Sequence, residues 1–206
     1  MLVDMNSFVV TLRWICLLLI VLLLSGCTGR VMPPAPAELA QPLDVYLIDH
    51  GRHASLVLPR EEGGMVRYSY GEWRWYVEGR RHFLAGAAAM LVPTASALGR
   101  GVHEDVTGPG DFSRLAPEGL VRTYPLQAEA ARVRALQRRL DAHFEGEAEP
   151  VYSEEFGLHF VPHPRAYWAA HQSNLVVAGW LRQLEIDIQG IPWYSRWQIE
   201  SPQDAR

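Results

Sequence analysis

"AYWAAHQSNLVVAGWL", Ala166 to Leu181, reads as a loop feeding an apolar helix, with Ser173 in the helix's first turn. A polar cluster of His171, Gln172, Ser173 and Asn174 sits at the mouth of that helix. Ser and Asn favour helix starts because their side chains accept hydrogen bonds from free backbone N–H groups. A plain cap therefore accounts for Ser173 and Asn174 without any chemistry. The capping box is incomplete, since Val176 stands three residues after Ser173 where Glu or Gln would be needed. The second reading is a nucleophile's seat. A group at a helix N-terminus faces unsatisfied N–H groups and the positive end of the helix dipole, which favour a developing anion.

Working outward, "LDVYLID" (43–49) and "ASLVLP" (54–59) are β-branched and aliphatic runs that predict two strands across an "HGRH" turn. "MVRYSYG" (65–71) predicts a third. "EWRWYVEGRRHFLAGAAAMLVP" (72–93) has helical composition, interrupted near Gly79 and ended by Pro93. The stretch from Thr94 to Pro117, rich in Gly and Pro, reads as irregular, and "GLVRTYPL" (119–126) as a strand. In "QAEAARVRALQRRLDAHFEG" (127–146), Val133, Leu136, Leu140 and Phe144 recur at three- and four-residue steps, the clearest helix of the chain. "PVYSEEFGLHFVPHP" (150–164) reads as irregular or β, the helix after Ser173 runs to about Ile186, and "GIPWYSRWQIE" (190–200) offers a final strand. The class that follows is α+β, a small, mostly antiparallel sheet with flanking helices.

The N-terminus predicts an address rather than a fold. Arg13 precedes "WICLLLIVLLL", an apolar run of signal-peptide length, which ends in "LSGC", Leu24 to Cys27. Small residues before a cysteine resemble a bacterial lipoprotein processing site, which implies a signal peptide over 1–26 and lipid attachment at Cys27. An uncleaved anchor helix reaching back to Phe8 is the alternative. Thr28, not Asp, follows the cysteine, and by resemblance to lipoprotein sorting this implies the outer membrane facing the periplasm. "TGRVMPPAPAELAQP" (28–42) reads as a Pro/Ala-rich tether, leaving 43–206 as one domain.

Composition excludes several chemistries. The cysteines are Cys16 and Cys27 alone, so a mature domain would hold no disulfide, thiolate nucleophile or cysteine metal cluster. All 19 basic residues are arginines, which removes Schiff-base and lysine-base mechanisms. With a formal net charge of −4 and scattered arginines, nothing resembles a nucleic-acid footprint.

"HGRHASLVLP", "YSYGEWRWY" and "HQSN" together resemble an uncharacterised bacterial lipoprotein family often found near urease gene clusters. That family resembles circularly permuted papain-like proteins of the NlpC/P60 and lecithin–retinol acyltransferase group. The resemblance spans Asp44 to Gly190 and implies a permuted papain-like (NlpC/P60-like) core. It places His53 on the catalytic histidine and Glu72 on the acidic position. Ser173 stands where the family has its cysteine. The implied activity is amide or ester hydrolysis or acyl transfer: Ser173 attacks, His53 serves as base, and Glu72 or Tyr70 fixes the imidazole. The Ser173 and Asn174 backbone would donate to the oxyanion, and Asn174, Tyr70 and His171 would contact ligand. A thiol is partly ionised near neutral pH whereas an alkanol depends wholly on its base, so a groove that binds peptide, glycan or lipid without turnover stays open beside catalysis. His159, His163 and His171 form no helical zinc signature, and neither metal nor cofactor is expected. The expected partners are the membrane, through the lipid, and a cell-wall peptide or lipid substrate.

Overall fold

A computed structural model describes residues 13–14, 28–81, 86, 89–147 and 149–200. The expected signal peptide and the expected lipidation site Cys27 lie outside the described residues, apart from Arg13 and Trp14. The chain is α+β. Seven strands form one antiparallel sheet in the order β6-β2-β3-β4-β5-β8-β7. These are β2 (Pro42–Asp49), β3 (Ala54–Pro59), β4 (Met65–Glu72), β5 (Thr94–His103), β6 (Arg122–Glu129), β7 (Val151–Ser153) and β8 (Leu158–Tyr167). A second sheet of three strands has the order β10-β1-β9, from β1 (Gly29–Met32), β9 (Asp187–Gly190) and β10 (Trp197–Ile199). No helix among the described residues is long and apolar enough to cross a membrane.

The central strands are apolar at consecutive positions because both sheet faces are covered. Val45 and Leu47 of β2 join the larger core, while their neighbours Tyr46 and Ile48 join a smaller one on the other face. Two helices close the larger core: α3 (Ala130–Gly146) and α4 (Ser173–Gln183). In α3 the buried residues Val133, Leu136, Leu140 and Phe144 form a stripe facing the sheet, as their spacing predicts. In α4, Val177, Ala178, Trp180 and Leu181 are buried, and the helix packs on β3 and β4. Single turns α1 (Trp73–Tyr76) and α2 (Phe112–Leu115) lie in the connections.

Two local expectations are corrected and one is met. Thr94–His103 is not irregular: it is β5, paired with both β4 and β8. Its glycines conceal it, because a Cβ on Gly99 would meet the Phe160 ring at 2.6 Å and one on Gly101 would meet Leu158 at 2.8 Å. Those positions are bare so that β8 side chains can lie across the strand. The helical stretch expected over 72–93 breaks where expected, at Gly79 with φ +68°: a single turn precedes it, and helical residues return at Gly86 and at Ala89–Leu91, before Pro93. The supposed tether is folded over part of its length. Gly29–Met32 pairs parallel with β10 and antiparallel with β9, and Val31 is wholly buried.

Candidate functional site

Strand β2 ends at Asp49 and β3 begins at Ala54, so the "HGRH" turn carries His50 and His53 on one short connection. Gly51, with φ +91°, takes the left-handed conformation the turn needs, and its N–H donates to Asp49 Oδ1 at 2.7 Å. The two imidazoles stack, with centroids 4.5 Å apart and planes 14° off parallel.

Beneath them lies a charged network in a buried setting. Arg67, fully buried in the middle of β4, pairs with Glu118 through both terminal guanidinium nitrogens. Its Nη1 donates to the Leu115 and Phe156 carbonyls at 2.6 and 3.3 Å, and its Nε to Ser55 Oγ at 3.0 Å. His50 Nδ1 donates to the Gly119 carbonyl at 2.7 Å. That fixes the tautomer, leaving Nε2 to accept from Ser55 Oγ at 2.9 Å and Arg67 at 3.3 Å. Burial, reinforced by the Arg67 charge, lowers His50 to about 3. It is therefore neutral at physiological pH, and its 3.6 Å approach to Glu118 is no ion pair there. Burial works to raise the Glu118 carboxyl, but the nearby His53 ring and the hydrogen bonds and charge of Arg67 outweigh it and hold the group at about 2.

His53 is the member of this cluster with spare capacity. Its Nε2 is buried without a hydrogen-bond partner and lies 3.8 Å from Glu118 Oε1. The Tyr76 ring meets it edge-on at 5.7 Å, and Ser195 Oγ donates to its carbonyl at 3.2 Å. A cavity of about 610 Å³ opens beside it, walled by Trp75, Tyr76, Phe156 and Tyr167 and lined also by His53, Glu118 and Ser173.

Ser173 and His53 thus border one cavity, although they are 120 positions apart. No hydrogen bond joins them among the described residues. Ser173, only 4 % exposed, donates to Gln172 Oε1 over a long 3.4 Å. The same Oε1 accepts from the Asn174 N–H at 2.7 Å, so Gln172 is the helix cap and one of the two expected oxyanion donors is occupied. Tyr167 lies against Ser173. Burial raises its phenol to about 12, with the polar groups of the neighbouring Ser173 working in the opposite direction.

The other expected residues take different posts. Glu72 lines the cavity, but its carboxylate accepts from the Trp75 N–H at 2.7 Å and caps α1. The carboxylate set against His53 is that of Glu118. Asn174 is not in the cavity wall; its Nδ2 donates to the Arg52 carbonyl at 3.1 Å and ties the helix tip to the histidine turn. Tyr70 and His171 meet at 2.9 Å, with the Tyr70 hydroxyl also donating to the Arg165 carbonyl at 2.8 Å. Neither lines the cavity. Glu118 escaped sequence reading because "APEGL" looks like any solvated loop. A signal existed elsewhere: an arginine within the apolar strand "MVRYSY" requires a buried carboxylate.

His50, His53 and Glu118 bring ligand-type atoms within 4.8 Å of one another. They suit a cation poorly, since His50 has a proton on Nδ1 and its Nε2 already accepts, while Arg67 neutralises Glu118.

No family model, curated protein or solved structure matches the chain.

Proposed function

We propose that the cavity is an acyl-transfer site of permuted papain-like (NlpC/P60-like) type, hydrolysing or transferring the acyl group of an amide or ester. One observation carries this reading: His53 Nε2, buried and unpartnered, faces Glu118 in the same cavity that Ser173 borders from a helix tip. A buried polar atom left unpaired costs about 1–3 kcal/mol, a cost that a catalytic role would explain.

With Nε2 turned toward Glu118, Nδ1 is the nitrogen left to serve Ser173. Ser173 Oγ attacks the carbonyl carbon and its proton passes to Nδ1. The imidazolium returns that proton to the departing alcohol or amine. Water, or a second nucleophile, then releases the acyl group from Ser173 by the same route in reverse. Glu118, ionised down to about 2, stabilises the imidazolium. Tyr167 keeps its proton up to about 12 and is a donor beside Ser173 for the developing oxyanion. Anchored through Cys27 to the outer membrane, the site would meet cell-wall peptides or lipid acyl groups.

A fluorophosphonate probe tests this on the full chain. Labelling at Ser173 is expected, absent in Ser173→Ala and reduced at least about 100-fold in His53→Ala. Binding without turnover is the second reading, favoured by the occupied Asn174 N–H and by the lack of a Ser173–His53 hydrogen bond. It prevails if the wild type is unlabelled and Ser173→Cys also fails to react with a thiol electrophile above a His53→Ala control.

A further inference from the structure

The chain leaves the fold at a defined corner. Gly29 lies opposite both Gly190 and Trp197, and its N–H donates to the Arg196 carbonyl at 2.8 Å. Thr28 therefore emerges between the end of β9 and the start of β10. A Cβ on Gly190 would strike the Thr28 carbonyl at 2.2 Å, and one on Gly29 would strike Pro192 at 2.7 Å. Cys27 precedes Thr28 by one peptide bond, so the N-terminal part of the chain joins the fold at this corner. Thr28, where the described chain of the fold begins, lies beside the loop joining β9 to β10.

That loop displays apolar and aromatic side chains. Ile191 is 50 % exposed and Tyr194 62 %, with Trp193 partly exposed and Arg196 exposed beside them. Tyr194 takes φ +56° and Ser195 φ +56°, a conformation disfavoured for residues with side chains. The turn is pinned all the same: Ser195 Oγ donates to the His53 carbonyl and accepts from Trp197 Nε1 at 3.1 Å. Tyrosine and tryptophan with a neighbouring arginine suit the headgroup layer of a bilayer, where an amphipathic ring has one apolar and one wet end.

We propose that Ile191, Trp193 and Tyr194 form a docking surface for a phospholipid bilayer, set beside the chain's point of attachment. The N-terminal apolar run chooses this occupant over a protein partner. A lipid on Cys27 and an uncleaved segment from Phe8 both bring the membrane to this corner. A lipid chain supplies one membrane signal and the loop a second. Ser195 links the loop to His53, so the cavity rim at Arg52 and His53 lies close to the headgroups. This rests on the membrane attachment proposed above and deepens it, giving the cavity ligands that present an acyl group from a bilayer surface.

The experiment uses the full chain in vesicles of phosphatidylethanolamine and phosphatidylglycerol. Tyr194→Cys and Tyr152→Cys, each in a Cys16→Ser background, receive an environment-sensitive dye whose position is verified by peptide mass. Tyr152 is exposed on β7, the far edge strand of the larger sheet. The expected result is blue-shifted emission at position 194, quenched by spin-labelled lipid, with water-like emission at 152. Water-like emission at 194 in vesicle-bound protein overturns the proposal. So does equal shielding of 194 without vesicles, which would mean that a second copy covers the loop. The mass of the Cys27 peptide reports lipid attachment independently. An unlipidated Cys27 with position 194 in the bilayer retains the docking surface and removes the lipid anchor, and a lipidated Cys27 with 194 in water does the reverse.

Discussion

Arg67 and His50 govern the stability of the site at the scale of single residues. Replacing Arg67 with methionine would leave Glu118 buried opposite no cation. Arg67→Met should cost about 3–5 kcal/mol, read as a shift of the urea midpoint. The histidine makes a pH prediction with a definite sign. Unfolded His50 takes a proton near 6.5, whereas the folded chain refuses it until about 3. The unfolded state therefore binds more protons between those values, and stability falls as pH drops through that window, by roughly 1.4 kcal/mol per unit. Glu118 acts with the same sign lower down: its stabilisation is present above the unfolded value of 4.5 and is lost as pH falls toward about 2. Urea midpoints measured between pH 7 and 5 should decline, and the decline should be shallower in His50→Gln. A flat wild-type profile over that range would contradict the buried neutral assignment.

Among the elements, β5 gives the sharpest prediction. Gly99→Ala places a methyl group against Phe160 in the paired strand β8, so a loss of about 1–3 kcal/mol is expected from overpacking. The double variant Gly99→Ala with Phe160→Leu should recover part of it, as measured by thermal melting of both. On α3, Leu140→Ala should cost about 2–5 kcal/mol because the residue sits in the stripe buried against the sheet. Helix α3 was readable from its three- and four-residue spacing, and strands β2, β3 and β4 from dense apolar runs. Strand β5 was not. Its sequence, "TASALGRGVH", has small residues where a lone strand would need bulk, because the bulk is supplied by Phe160 and Leu158 of its neighbour. Propensity registers a residue's own side chain and is blind to one reaching across from the next strand.

For the whole molecule, the N-terminal strand locks two distant parts of the chain together. Deleting residues 28–32 would remove β1 from between β9 and β10 and free the Ser195 turn that holds His53. Amides in 187–190 and 197–199 should then lose hydrogen-exchange protection, whereas a true tether would leave them unchanged. The α+β class, the two long helices, most strands and the chemical character of two segments, "HGRH" and "HQSN", are legible in the order of residues alone. They are so because hydrophobic period and turn residues are local properties, set by which side of an element meets the core. It takes the folded chain to show that Glu118, not Glu72, stands against His53, that Gln172 caps the helix bearing Ser173, and that Gly29–Met32 is sheet. Each of these depends on a neighbour chosen by strand register, by packing or by the reach of a side chain. The Arg67–Glu118 pair spans 51 positions and the Ser195–His53 contact 142. At such separations loop closure, burial and pairing geometry select the partner, and no local pattern carries that choice.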